Sequence, residues 1–260
     1  MIGVFDSGVG GLFVLSALRA AMPDADFLYY ADTARLPFGV RSPDLIRRYA
    51  REAGARFAAW GVDSLQVACG TVSALALGEI GDAAGGPVAG VIRPVAREIA
   101  AAGRRRVLIL STEATAASRV FDEALAAESP GTVTLSLGCP LFVSLVENGF
   151  SSRNDPALLS FVGRTLAPGQ TFFPDAVLLG CTHFRLLSHA VASLFPGVPL
   201  FDCGEAAARA LADSPAGRKE TGRASVRILV SDNPDRFRRA AERVGALPDG
   251  ATVECVGELC

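Results

Sequence analysis

The chain has 260 residues, half of them hydrophobic and 20% charged, with a formal net charge of −2. Such a length holds one large α/β domain or two smaller ones, and the composition excludes disordered and fibrous classes. A slightly acidic chain has no general attraction for nucleic acid, so the expected ligand is a small molecule.

The opening run Met1-Ile2-Gly3-Val4-Phe5-Asp6 reaches a carboxylate with no basic leader, so it reads as a first strand and not as a signal peptide. No apolar stretch approaches membrane-spanning length, and no membrane partner is expected. Six cysteines at 69, 139, 181, 203, 255 and 260 are too sparse and uneven for a disulfide framework, which points to a reducing cytoplasm. The only lysine, Lys219, falls in a polar stretch, 214–222, that reads as a loop. A pyridoxal cofactor needs a lysine Schiff base in a formed site, so that cofactor is not expected.

In chain order, a strand over 2–5 runs into Asp6-Ser7-Gly8-Val9-Gly10-Gly11, a tight turn that opens a helix carrying Leu12, Val14, Leu15 and Leu18. The dinucleotide fingerprint would need glycine at position 13, where Phe13 stands, and no Gly-Lys-Ser/Thr follows for a P-loop. What remains at the end of the first strand is a carboxylate and a hydroxyl. A strand over 26–30 leads into the loop 31–39, where Asp32 and Arg35 pair or cap a helix by default. A helix over 43–60 follows.

The run Leu65-Gln66-Val67-Ala68-Cys69-Gly70-Thr71 reads as a buried strand that ends in a thiol and a hydroxyl. A helix over 71–80, a strand over 88–92, a break at Arg93-Pro94 and a helix ending near 102 come next. Arg104-Arg105-Arg106 reads as a solvated sheet edge before a strand over 107–110, where a second half begins. The hydroxyls of Ser111-Thr112-Glu113-Ala114-Thr115 follow that strand as Asp6-Ser7 follow the first, with helix capping as their default role. A strand over 133–137 leads to Cys139-Pro140 and an apolar segment holding Glu147, which either closes a helix at the surface or orients a catalytic group. Helix and loop fill 154–174.

The run Ala176-Val177-Leu178-Leu179-Gly180-Cys181-Thr182-His183 repeats the design of the 65–71 segment. A helix over 184–194 contains His189, read as a packing or solvent residue. A strand over 198–202 and a helix over 205–213 follow, then a strand over 225–230, a helix over 235–244 and a strand over 252–256, with Cys255 and Cys260 incidental. Cys-x-His is not a zinc-finger spacing and the chain has two histidines, so no metal is expected.

Apolar strands of this kind suit parallel sheets covered on both faces, and open α/β sheets bind ligands beyond the carboxyl ends of their strands. The fold expected is α/β, with two similar halves of mainly parallel sheet flanked by helices and one cysteine from each half aimed into a shared cleft. Taken alone, either cysteine is as well explained as a small core residue. Together, Asp6-Ser7, Cys69-Gly70-Thr71 and Cys181-Thr182-His183 supply two thiols with acidic and imidazole partners. Such a set can move protons, and two such groups on opposite faces of one carbon invert it.

At these residues the sequence resembles the cofactor-independent aspartate/glutamate racemase family, and within it the branch acting on glutamate. The resemblance covers nearly the whole chain and rests on 5–11, 31–39, Ala68-Cys69-Gly70-Thr71, Cys139-Pro140-Leu141, Val146-Glu147, Leu179-Gly180-Cys181-Thr182-His183 and 230–237. It implies that Cys69 and Cys181 are the acid/base thiols, that Asp6 assists the first and His183 the second, and that Glu147 orients His183. Asp6, Ser7, Phe38, Gly39, Gly70, Thr71, Thr182 and His183 would hold an acidic amino acid, with no cofactor. It further implies a first domain of 1–92 completed by 204–260, a second of 93–203, and an active site in the cleft between them. The product would be D-glutamate for peptidoglycan; a homodimer stays open.

Three positions depart from the family pattern. Gly70 stands where an asparagine is usual, Phe38 replaces a tyrosine, and Arg93 replaces the glutamate of an Ile-Glu-Pro sequence. Two lost polar contacts predict weaker glutamate turnover, with improvement on restoring asparagine and tyrosine. They also leave open a racemase of aspartate or a related acid, or a weak relative that binds an acidic metabolite or a protein partner.

Overall fold

The computed structural model describes residues 1–150, 152, 155–219 and 222–257. Readings placed on 154, 220–221 and Cys260 lie outside the described residues. Among the described residues ten strands form two sheets: β1 (Ile2–Asp6), β2 (Phe27–Ala31), β3 (Ser64–Val67), β4 (Val88–Ala89), β5 (Arg106–Ser111), β6 (Val133–Gly138), β7 (Ala176–Leu179), β8 (Leu200–Asp202), β9 (Val226–Val230) and β10 (Thr252–Cys255). The first sheet has the order β10-β9-β2-β1-β3-β4 and the second β6-β5-β7-β8. Every pairing is parallel, as expected for apolar strands joined by helices.

Alternation along each strand explains how both faces are buried. In β1, Ile2 and Val4 enter one apolar cluster with Leu12, Leu15 and Leu18. Phe5 enters the opposite cluster, with Ile46, Phe57 and Val72. In the second sheet Leu108, Leu110, Val177 and Leu179 face one cluster, while Val107, Ile109, Ala176 and Leu178 face the other. A one-residue register slip would exchange the two sets, so the pairing of each central strand is strongly specified.

β1 lies between β2 and β3, and β5 lies between β6 and β7. The chain therefore leaves each of these strands toward one side and returns on the other, creating a crevice at the carboxyl ends. Asp6 ends β1, Cys69 stands two residues past β3, Thr112 one past β5 and Cys181 two past β7.

Several expectations shift locally. The helix expected over 71–80 is two helices, Gly70–Leu75 and Leu77–Ala84, broken at Ala76, whose φ of −152° leaves the helical region. The strand expected over 88–92 is only Val88–Ala89, because the helix Ile92–Ala101 begins at once and takes Arg93 and Pro94 into its first turn, where proline is well tolerated. The helix expected over 184–194 is a 3₁₀ segment, Thr182–Leu187, followed by Ser188–Leu194. The loop expected over 214–222 contains a short helix, Pro215–Lys219, led by proline.

Candidate active site

Cys69 and Cys181 line one small cavity with Ser7, Pro37, Phe38, Gly39, Gly70, Thr71, Thr112, Val143, Thr182 and His183. Its volume is ≈ 10 Å³, about the room one water molecule needs. Residues after β1 and β3 thus meet residues after β5 and β7. Of the eight residues expected to hold a substrate, all but Asp6 line the cavity; Asp6 and Glu147 reach it through the groups they bond.

Asp6 is wholly buried at the tip of β1. Its Oδ1 accepts from the Gly8 amide at 2.9 Å, folding the carboxylate onto its own turn, and its Oδ2 accepts from Thr182 Oγ1 at 3.2 Å. The turn must pass very close to the other half. A Cβ on Gly10 would lie 2.5 Å from Thr182 Oγ1 and 2.6 Å from His183 Nδ1, so only glycine leaves the space. Burial pushes the Asp6 carboxyl above its ordinary value, opposed by His183 and by the Gly8 and Thr182 hydrogen bonds.

Cys69 precedes the helix Gly70–Leu75, and the amides of Val72 and Thr71 are directed at its sulfur. Burial nonetheless drives this thiol far above its ordinary range, and the nearby Asp6 carboxylate adds to the shift. Cys181 has a different neighbour: its Sγ lies 4.0 Å from His183 Nδ1. His183 Nε2 bonds Glu147 Oε1 at 2.7 Å, and the same carboxylate oxygen accepts the Val9 amide at 3.1 Å. Burial works against a charged imidazole, but the bonds to Cys181 and Glu147 outweigh it and hold His183 well above its usual pKa. Glu147 is held below its ordinary value, the His183 hydrogen bond and charge overcoming its burial. One thiol therefore sits beside a carboxylate, the other beside an imidazolium.

Glu147 closes the helix Pro140–Glu147, as the surface reading had it, yet its side chain is turned inward onto His183. Thr112 caps the helix Glu113–Ser118 by accepting the Thr115 amide, as expected. Its hydroxyl also meets Thr71 Oγ1 at 3.0 Å and Thr115 Oγ1 at 2.9 Å, joining the two halves through hydroxyls. Thr112, Thr115, Pro37 and Val143 were not among the expected site residues. The sequence signal for the threonines was their position after β5, parallel to Asp6-Ser7 after β1.

Phe38 packs against Phe5 and Tyr49, with ring centroids 6.2 and 5.5 Å away. Arg93 is exposed and lines a separate surface groove with Arg97, Glu123 and Glu128. Asp32 pairs with Arg35 at 3.5 Å, as its default reading expected, and accepts from Ser231, but it is buried and not on a solvated connection. Among the described residues no group of three or more His, Cys, Asp or Glu is arranged to hold a metal ion. Cys69, Cys139, Cys181, Cys203 and Cys255 are free thiols.

Two parallel-sheet halves of the α/β class thus present one thiol each to a single cavity, one beside a carboxylate and the other beside an imidazole. The family model for Asp/Glu/Hydantoin racemase matches residues 14–211, and the chain belongs to that family of racemases. It is 40% identical to a glutamate racemase of Thermus thermophilus over 249 residues, covering 94% of this chain and 92% of that one. The glutamate racemase of Francisella tularensis solved with D-glutamate superposes with a TM-score of 0.89 at 28% identity, over 98% of this chain and 97% of the other. The Thermus thermophilus enzyme solved with β-chloro-D-alanine gives 0.82 at 38% identity, over 98% and 96%.

Proposed function

We propose that the chain interconverts L- and D-glutamate by passing protons between Cys69 and Cys181, without a cofactor. The observation that carries this reading is that both sulfurs line one cavity, with Asp6 beside the first and His183 beside the second. The names of the relatives support glutamate as substrate.

A thiolate on one face takes the α-proton: an S–H bond forms, the C–H bond breaks, and its electron pair spreads into the substrate carboxylate. Hydroxyls of Ser7, Thr71 and Thr182 and nearby backbone amides are the groups offered to that developing charge. The opposite thiol then gives its proton to the other face of the carbon, becoming the thiolate for the reverse reaction. His183, held as a cation by Glu147, supplies a charge-assisted donor at 4.0 Å from the Cys181 sulfur. Cys69, buried near Asp6, is the group kept as a thiol until it donates.

The domains we propose are 1–92 with 204–260, and 93–203; every strand of each sheet falls within one of them. D-glutamate supply for peptidoglycan and residence in the cytoplasm belong to the same proposal. No helix among the described residues is long and apolar enough to cross a membrane.

The test is chiral chromatography of both enantiomers of glutamate and aspartate after incubation with wild type, Cys69→Ala and Cys181→Ala. Wild type should racemise glutamate, and each variant should lose at least roughly 10²–10⁴-fold in rate. A variant that racemises at the wild-type rate rejects the two-thiol scheme. Preference for aspartate rejects only the substrate.

A further inference from the structure

Gly70 immediately follows Cys69, and Gly180 immediately precedes Cys181. A Cβ built on Gly70 would stand inside 3.0 Å of the Gly180 carbonyl oxygen, with the Gly180 carbonyl carbon at 3.5 Å and Cys181 Cα at 3.8 Å. The obstacle is backbone and has little freedom to yield. The Gly180 amide donates to Leu110 O at 2.8 Å, and a Cβ on Gly180 itself would meet the Phe121 ring at 2.8 Å and Leu110 O at 3.0 Å. Gly180 is thus pinned to β5 from behind.

Local conformation does not demand glycine at position 70. It opens the helix Gly70–Leu75, and its φ is not in the left-handed region. Helix propensity alone would favour alanine there. What glycine supplies is the space for two strand ends, each carrying a thiol one residue away, to come into contact.

We propose that Gly70 is a positioning residue that sets the span between the Cys69 and Cys181 sulfurs, by letting the β3 and β7 ends close until backbone meets backbone. Any side chain at 70 holds the halves further apart in the closed state. An asparagine, the residue that the family resemblance puts there, carries the same obstructing Cβ. Its absence is therefore a change of span as well as a lost amide, and the expectation that restoring asparagine improves turnover does not follow from this geometry. The proposal rests on the two-thiol reading above.

The experiment compares wild type, Gly70→Ala and the control Gly78→Ala in D₂O. At Gly78 an added Cβ meets nothing within 4 Å. For each protein kcat, KM, melting temperature and the deuterium content of unreacted substrate and of product are measured. A longer span slows delivery from the far thiol and leaves the halves less tightly closed, so the intermediate survives while water reaches the near thiol, exchanges its proton and allows deuterium to return to the original face. The expected result is a kcat lower by roughly 10- to 10²-fold in Gly70→Ala, with deuterium in unreacted substrate, per product formed, raised severalfold; Gly78→Ala should match wild type in both.

A Gly70→Ala protein with wild-type kcat and isotope ratio overturns the proposal while leaving the two-thiol scheme intact, since that scheme stands or falls with the cysteine variants. A lower kcat with an unchanged isotope ratio also overturns it, because slow abstraction would then be the defect. So does failure of Gly70→Ala to fold, which would mean that the halves cannot separate to accept a single carbon.

Discussion

His183 is bonded on both ring nitrogens, to Glu147 through Nε2 at 2.7 Å and toward Cys181 through Nδ1 at 4.0 Å. Its raised pKa means that its contribution to stability is fully present below about 6.5, the unfolded value, and is lost as pH rises through the folded one. Glu147, with a lowered pKa, contributes fully above about 4.5 and loses that as pH falls through its folded value. Both contributions are therefore complete between about pH 4.5 and 6.5. Glu147→Gln keeps an oxygen for the Val9 amide and removes only the charge. It should cost about 1.5–3 kcal/mol, most in that window, in denaturant melts run across pH. The chain has two histidines, so an NMR titration should also show the His183 resonance moving to a lower pKa in the variant. An unchanged His183 titration would mean that Glu147 does not hold the cation, whatever happens to stability.

Thr112 works at the scale of the element. It caps the helix Glu113–Ser118 and at the same time bonds Thr71, on the first helix turn after Cys69. Thr112→Val removes both, so the cap alone should cost about 1 kcal/mol in a thermal melt. Because Thr112 also lines the cavity, KM for glutamate should rise in the same variant. A stability loss with unchanged KM would confine Thr112 to capping.

This double duty marks where the sequence stops being readable. Strand and helix order, the two strand-end thiols and the turn at Asp6 were legible because apolar runs ending in polar residues are local patterns. That the Thr112 hydroxyl faces Thr71 depends on how two sheets meet, which no local pattern records. The same holds for Glu147, whose position at a helix end is local but whose partner lies 36 residues away. The break at Ala76 and the 3₁₀ turn over Thr182–Leu187 also escaped periodicity. Both sequences continue helically in character, and tertiary packing beside the thiols decides otherwise. Gly70, read from the sequence as a missing amide, is also the point where two backbones come close, which only the folded chain displays.

At the scale of the whole molecule, the halves meet through polar groups on both sides: Thr182 on Asp6, Glu147 on the Val9 amide, Thr112 on Thr71. The cavity they enclose is ≈ 10 Å³, too small for an amino acid, so the strand ends must part to admit substrate. When they part, an exposed thiol exchanges its proton with solvent. On the proposed mechanism, closure around substrate excludes bulk water, and the proton delivered to the product comes from the thiol on the far face. The origin of the proton on the product therefore reports the mechanism. The deciding measurement starts from one protiated enantiomer of glutamate in D₂O and follows both enantiomers by mass spectrometry over the first few per cent of conversion. Two thiols on opposite faces require that the newly formed enantiomer carry deuterium at the α-carbon while the remaining substrate stays protiated. Protium retained in the product would mean that a single group carries the proton from one face to the other, and would contradict the account.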